Sequence, residues 1–184
     1  RVTVGSLRHQ IINSMQGIGT LNGRPPFFTG KGGMLNRQCT HDFKITPIQR
    51  KIGELIGHKP GTRWPLEIRA EQWIGISTDE AHRMKPSRIA SVRNRWPLID
   101  IEMSRADCLA WFDTHGLNRP PKSACTFCPY HDAAMWRDMK ANDPESFADA
   151  VDIDNRLRSN GMLTGLRGEA YLHRSRQRLE MVNF

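Results

Sequence analysis

The chain has 184 residues, four cysteines and a formal net charge of +8, with a pI of about 9.8 and a mean hydropathy of −0.57. That length holds one domain with a real core, or a domain with a small appendage, and the polarity is that of a soluble globular protein. No apolar run approaches membrane-spanning length, the first residues are no signal sequence, and so few cysteines make no secreted disulfide scaffold; a reduced, cytoplasmic protein is expected.

In chain order, Val2–Val4 reads as a short strand, and Ser6 caps a helix carrying Leu7, Ile11, Ile12 and Met15 that ends near Gly17. Residues 17–36 read as loop, where Gly30-Lys31-Gly32-Gly33 lets backbone approach a ligand or simply adds flexibility. Thr46-Pro47-Ile48-Gln49 has the form of a helix start, with Thr46 as cap, Pro47 at the first position and Gln49 closing a capping box. Ile48, Ile52, Leu55 and Ile56 give its buried stripe, and Gly57 stops it. A strand over Gln72–Ile76, a basic loop and a strand over Leu98–Ile101 follow. Ser104 and Asp107 cap a helix that runs to His115 and stops at Gly116; Asp132 caps another. Asp143-Pro144 opens a last helix with Phe147, Ala150, Val151, Asp154 and Leu157 on one side. The pattern predicts an α/β domain over residues 1–103, a partial parallel sheet with flanking helices, and a mainly helical region over 104–184 that holds a Cys-x-x-Cys loop.

Cys125 and Cys128 sit in S-A-C-T-F-C-P-Y-H, and two cysteines at this spacing can grip one metal from a single turn. Cys39, far upstream in R-Q-C-T-H-D-F-K-I-T-P-I, would have to join them through the fold. Thiolate sulfur selects zinc or an iron–sulfur cluster, and the competing reading is plain packing of small hydrophobes. His131 is a candidate fourth ligand. Cys108 shares a helix face with Trp111, Phe112 and His115, which suits either a ligand or a core cysteine. Arg37 and Lys44 place Cys39 in a positive field that favours the thiolate.

Between residues 81 and 99 stand Arg83, Lys85, Arg88, Arg93 and Arg95 with no carboxylate, and the tail carries Arg167, Arg174, Arg176 and Arg178. Such density draws phosphates, from a nucleotide or from a nucleic-acid backbone such as tRNA or DNA. The turn Gly75-Ile76-Ser77-Thr78-Asp79-Glu80 ends a strand, where α/β sheets bind ligands. Ser77, Thr78, Arg83 and Arg88 are its candidate phosphate contacts, with Asp79 and Glu80 as orienters of the arginines.

Together these segments resemble the phosphoadenosine-phosphosulfate reductase family within the PP-loop, or adenine nucleotide alpha-hydrolase-like, superfamily. The resemblance rests on R-Q-C-T-H-D-F-K-I-T-P-I, on W-I-G-I-S-T-D-E-A-H-R-M-K-P-S-R, and on S-R-A-D-C-L-A-W-F followed by C-T-F-C, and it covers roughly residues 1–175. It implies sulfur transfer or reduction on an adenylated substrate, with a 4Fe–4S cluster on Cys39, Cys125 and Cys128 and a fourth position filled by Cys108, His131 or left open. It further implies that Arg37, Lys44, Arg83 and Arg88 face the phosphates or sulfate of that substrate. The alternative from another class is a nucleic-acid-binding module with a structural Cys-ligated zinc. The S-G-G-x-D-S loop that opens the family's domain is absent from the sequence. The expectation is therefore an N-terminally incomplete domain, catalytically silent by itself until another segment or chain supplies the loop.

Overall fold

The computed structural model describes residues 5–16, 18, 24–120, 124–159 and 168–184. The strand expected over Val2–Val4 lies outside them, as do Gly17 and Arg167. The elements are α1 (Leu7–Met15), β1 (Phe28–Thr29), a π-helical turn (His41–Ile45) running into α2 (Thr46–Leu55), β2 (Ala70–Trp73), a 3-10 helix (Thr78–Arg83), β3 (Val92–Arg95), α3 (Pro97–Asp100), α4 (Arg105–Thr114), α5 (Ala133–Asn142), α6 (Pro144–Ser159), β4 (Ala170–Tyr171) and a closing 3-10 turn (Leu179–Met181). The architecture is mixed α/β, with a small parallel strand pair, flanking helices and a mainly helical C-terminal region. No helix of the described residues is long and apolar enough to cross a membrane.

The chain divides into two compact units, one made of Arg1–Ile48 with Ser123–Phe184, the other of Gln49–Lys122. The first holds the main apolar core. Ile11 and Met15 of α1, Phe27, Phe127, Trp136 of α5, Ala150, Ile153 and Leu157 of α6, and Ala170, Leu172 and Leu179 pack into one buried cluster. The helical spacing of Ala150, Ile153, Asp154 and Leu157 turns this face of α6 inward, so a carboxylate goes inside with the apolar groups. Asp154 is 1% exposed. It accepts hydrogen bonds from the Leu172 amide at 2.9 Å, the Leu179 amide at 2.8 Å and Arg158 Nη2 at 2.7 Å. One buried carboxylate thus holds both ends of the C-terminal segment against α6. β1 and β4 add a short antiparallel pair, Phe28 opposite Tyr171.

In the second unit, β2 and β3 are parallel, with Ala70 opposite Val92 and Trp73 opposite Arg95. The capping box of α4 forms as expected, Ser104 Oγ accepting from the Asp107 amide and the Asp107 carboxylate from the Ser104 amide. Gly53 is buried because Trp64, stacked on His58 at 3.9 Å between ring centroids, lies 3.1 Å from where a Cβ would stand.

Four expectations are corrected. The strand expected over Gln72–Ile76 is Ala70–Trp73. The stripe of α2 is not buried, Leu55 being 75% and Ile48 39% exposed. The strand expected over Leu98–Ile101 lies at Val92–Arg95, and residues 97–100 form a helical turn with Pro97 at its start. Arg93 and Arg95 alternate with Val92 and Asn94, so an outward basic face had the look of a charged loop. Thr46 is also no cap: its backbone is already helical, and helical structure begins at Cys39. Pro47 therefore sits inside a helix, where it has no N–H to donate and its ring crowds the preceding turn. The π-helical turn over His41–Ile45 widens the helix just ahead of it.

Removing the Asp154 carboxylate leaves the Arg158 guanidinium, 10% exposed, without its counter-charge. Asp154→Ala should cost about 3–5 kcal/mol, and Asp154→Asn, which keeps an acceptor, should cost less. Urea denaturation followed by far-UV circular dichroism checks both; equal stability of wild type and Asp154→Ala would show that the carboxylate pins nothing.

Candidate anion-binding sites

The cysteine turn is anchored from within. Phe127 enters the core between Cys125 and Cys128, Pro129 is buried, and the His131 ring meets Trp136 edge-on at 4.6 Å between centroids. The Cys128 amide donates to the Cys125 carbonyl at 3.0 Å, and the His131 amide to the Cys128 carbonyl at 3.1 Å. Cys39 begins the helical stretch, its amide directed at the Arg24 carbonyl at 3.3 Å. Cys39, Cys125 and Cys128 share one neighbourhood, because the Cys125 thiol feels both of the others. Burial, then the neighbouring Cys128 and Cys39 sulfurs, push its pKa up, and the Lys44 charge opposes them.

Neighbourhood is not coordination. A zinc–sulfur bond is about 2.3 Å long, so ligand sulfurs must converge on a single point. Among the described residues, no three His, Cys, Asp or Glu side chains are grouped to hold a metal ion. All four cysteines are free thiols, and Cys108 lies half-buried on α4 in the second unit. This overturns the expected 4Fe–4S cluster and the alternative zinc on Cys39, Cys108, Cys125 and Cys128. The iron–sulfur sulfur-transfer or reductase activity, and the zinc-bearing nucleic-acid module, fall with it. The physical reason is that the turn's conformation is set by burying Phe127 and His131, a demand that the Cys-x-x-Cys spacing does not express.

Arg37 and Lys44 stand beside these thiols in the first unit. Arg37 is exposed with its guanidinium 5.6 Å above the centre of the Tyr130 ring, and Lys44 is exposed on the π-helical turn. Neither forms an ion pair within the described residues, where Asp42 pairs with His41 at 2.8 Å.

In the second unit the turn after β2 is turned inward. Ser77 is buried and its hydroxyl donates to the Asp79 carboxylate at 3.4 Å. Asp79 also accepts the Arg105 amide at the start of α4, and the Thr78 amide donates to the Met103 carbonyl at 3.0 Å. The Arg105 amide holds the Asp79 carboxyl below the usual range. Arg83 pairs with Glu80. Arg88 is exposed, in a loop braced by Ser87 and Ile89 and leading to Ser91, whose carbonyl accepts the Arg69 and Ala70 amides at the amino end of the strand pair. A parallel pair requires the chain to return to that end before re-entering the sheet. Ser77 and Arg83 therefore lie along the route out of β2, and Arg88 lies where that route ends.

A third cationic place was legible only as a basic tail. Arg158 of α6, Tyr171, Arg176, Gln177, Arg178 and Met181 line an open cleft of about 700 Å³. Arg158 is oriented by Asp154, by Asn155 Oδ1 at 2.9 Å and by the Ala170 carbonyl, and sits 5.0 Å from the Tyr171 ring centre. The signal in the sequence was the Asp154/Arg158 pair, one helical turn apart on a face otherwise turned to the core.

At neutral pH Cys125 should be alkylated by iodoacetamide more slowly than free cysteine, because a raised pKa leaves less thiolate. Lys44→Gln should slow it further, removing the charge that favours ionisation. Peptide-resolved mass spectrometry reads both rates, and a Cys125 faster than free cysteine would contradict the assignment. Asp79, its pKa lowered in the folded chain, stabilises the second unit at pH above the ordinary carboxylate value of about 3.9 and loses that contribution as pH falls through its own value. The melting-temperature difference between wild type and Asp79→Asn should be present at neutral pH and shrink on acidification.

Compared with protein-family models, with curated proteins and with solved structures, the chain matches none.

Proposed function

We propose that this chain binds a phosphate-bearing ligand, an adenylated nucleotide, as a PP-loop-like protein that works without a metal centre. The observation that carries the reading is the pair of exposed cations Arg37 and Lys44, without ion-pair partners among the described residues. An arginine braced over an aromatic ring presents its planar fork with little further loss of freedom on binding, and a lysine adds a mobile point charge. The resemblance of R-Q-C-T-H-D-F-K to the family segment supports the same residues, and the parallel strand pair is compatible with an adenine nucleotide alpha-hydrolase-like fold. In this reading phosphate recognition rests on side-chain cations. Within it, Ser77 and Arg83 position the turn after β2, each already bonded to a carboxylate, and Arg88 is an exposed cation of that unit able to meet phosphate.

Isothermal titration of the full chain with ATP tests the proposal. Binding is expected, and Arg37→Gln/Lys44→Gln should weaken it by about tenfold or more, the scale of one charge-assisted phosphate contact. Arg37→Lys alone should also weaken it, since a point charge does not replace the fork. No ATP binding by the wild-type chain, or affinity unchanged in the double variant, defeats the reading. A single-stranded oligonucleotide that binds far more tightly than ATP, with a steep salt dependence, would replace it with recognition of a nucleic-acid backbone.

A further inference from the structure

We infer that the cleft between α6 and residues 169–181 is a second phosphate site, for a phosphorylated small molecule of nucleotide size, sharing no residue with the Arg37–Lys44 patch. Its volume of about 700 Å³ falls within the roughly 300–1,000 Å³ of small-molecule pockets. Arg158, Arg176 and Arg178 line it, Arg158 already paired with Asp154 and the other two exposed. The lining also holds one carboxylate, Glu169, which accepts the Tyr171 hydroxyl, so the three arginines outnumber it.

The arginines are placed by the backbone. Asp154 fixes Leu172 and Leu179, so the intervening loop is tied at both ends and cannot carry its cations away from α6. Within that loop Arg176 takes a left-handed conformation, φ 56°, held by its amide donating to the His173 carbonyl at 3.0 Å. A non-glycine residue in that region marks a constraint the surroundings enforce. Its guanidinium forms no ion pair among the described residues, whereas Arg178 stands 4.0 Å from Glu180.

The glycine turn found in the sequence is bonded to the same segment. The Gly30 amide donates to the Glu169 carbonyl at 3.0 Å, and a Cβ on Gly32 would stand 3.9 Å from Arg176 Nη2. With φ of 104° at Gly32 and 77° at Gly33, this turn suits glycine, and it leaves the Arg176 fork uncrowded. Planar forks match the oxygens of a phosphate group in pairs. Tyr171 and the exposed Met181 offer apolar surface to the organic part of the ligand.

The test uses the full chain and AMP, with adenosine as the control lacking phosphate. AMP should bind and adenosine should not, because the phosphate is the handle. Arg176→Gln/Arg178→Gln should lower AMP affinity by about tenfold or more with an unchanged melting temperature, both side chains being exposed. Arg37→Gln/Lys44→Gln should leave at least one AMP site intact, which separates failure of this inference from failure of the proposed function. Absence of AMP binding, equal binding of adenosine, or an affinity indifferent to Arg176 and Arg178 would overturn the site. So would an equal loss in Arg93→Gln/Arg95→Gln, which would reveal attraction by net charge alone.

Discussion

The Asp154 carboxylate is the constraint on which the first unit depends. A buried carboxylate costs several kcal/mol in lost hydration unless its oxygens are satisfied. Here they accept two backbone amides and a guanidinium, and the groups that satisfy them come from α6, from the residue after β4 and from the closing 3-10 turn. Ala170, Leu172 and Leu179 give the segment its apolar contacts, and the carboxylate adds direction, because it gathers the Leu172 and Leu179 amides and Arg158 around one group. The same bonds tie both ends of the loop that carries Arg176 and Arg178. The same residue therefore links packing to the electrostatics of the cleft.

The second unit shows the same economy in a more exposed setting. Asp79 serves the Ser77 hydroxyl and the first amide of α4, while Asp107 serves Ser104 at the neighbouring cap. Both carboxylates are held below their ordinary range by these donors. A turn whose hydroxyl and carboxylate are already bonded to each other has less left to offer a ligand. Arg88 in this unit and Arg37 and Lys44 in the first are exposed and form no ion pair among the described residues.

The cysteines show the difference between proximity and coordination. Cys39 does come near Cys125 and Cys128, as the metal reading required, and the electrostatic influence on Cys125 records it. Yet the local chain is governed by groups of larger apolar area. Phe127 and His131 are buried, and the sulfurs take the orientations this leaves them. A ligand set needs convergence of three or four donors, a condition on side-chain direction that spacing along the chain does not contain.

What the sequence determined was local and periodic. The Ser6, Ser104 and Asp132 caps and the apolar faces of α1 and α6 were legible, because caps and periodicity act within a few residues. The strand at Val92–Arg95 was misplaced, since two outward arginines in a period-two pattern carry the charge signature of a loop. The helix around Thr46 was found but begun too late, since proline is read as a start and here a wider helical turn accommodates it. The cations were visible as composition, and Glu80 as a local partner for Arg83, three residues away. Only tertiary structure decided that Asp154 is an internal anchor and not a surface charge, and that the Gly30–Gly33 turn comes up to Arg176 across more than a hundred residues of chain. Charge is written in the sequence, but whether a charge is free depends on which distant groups the fold brings to it.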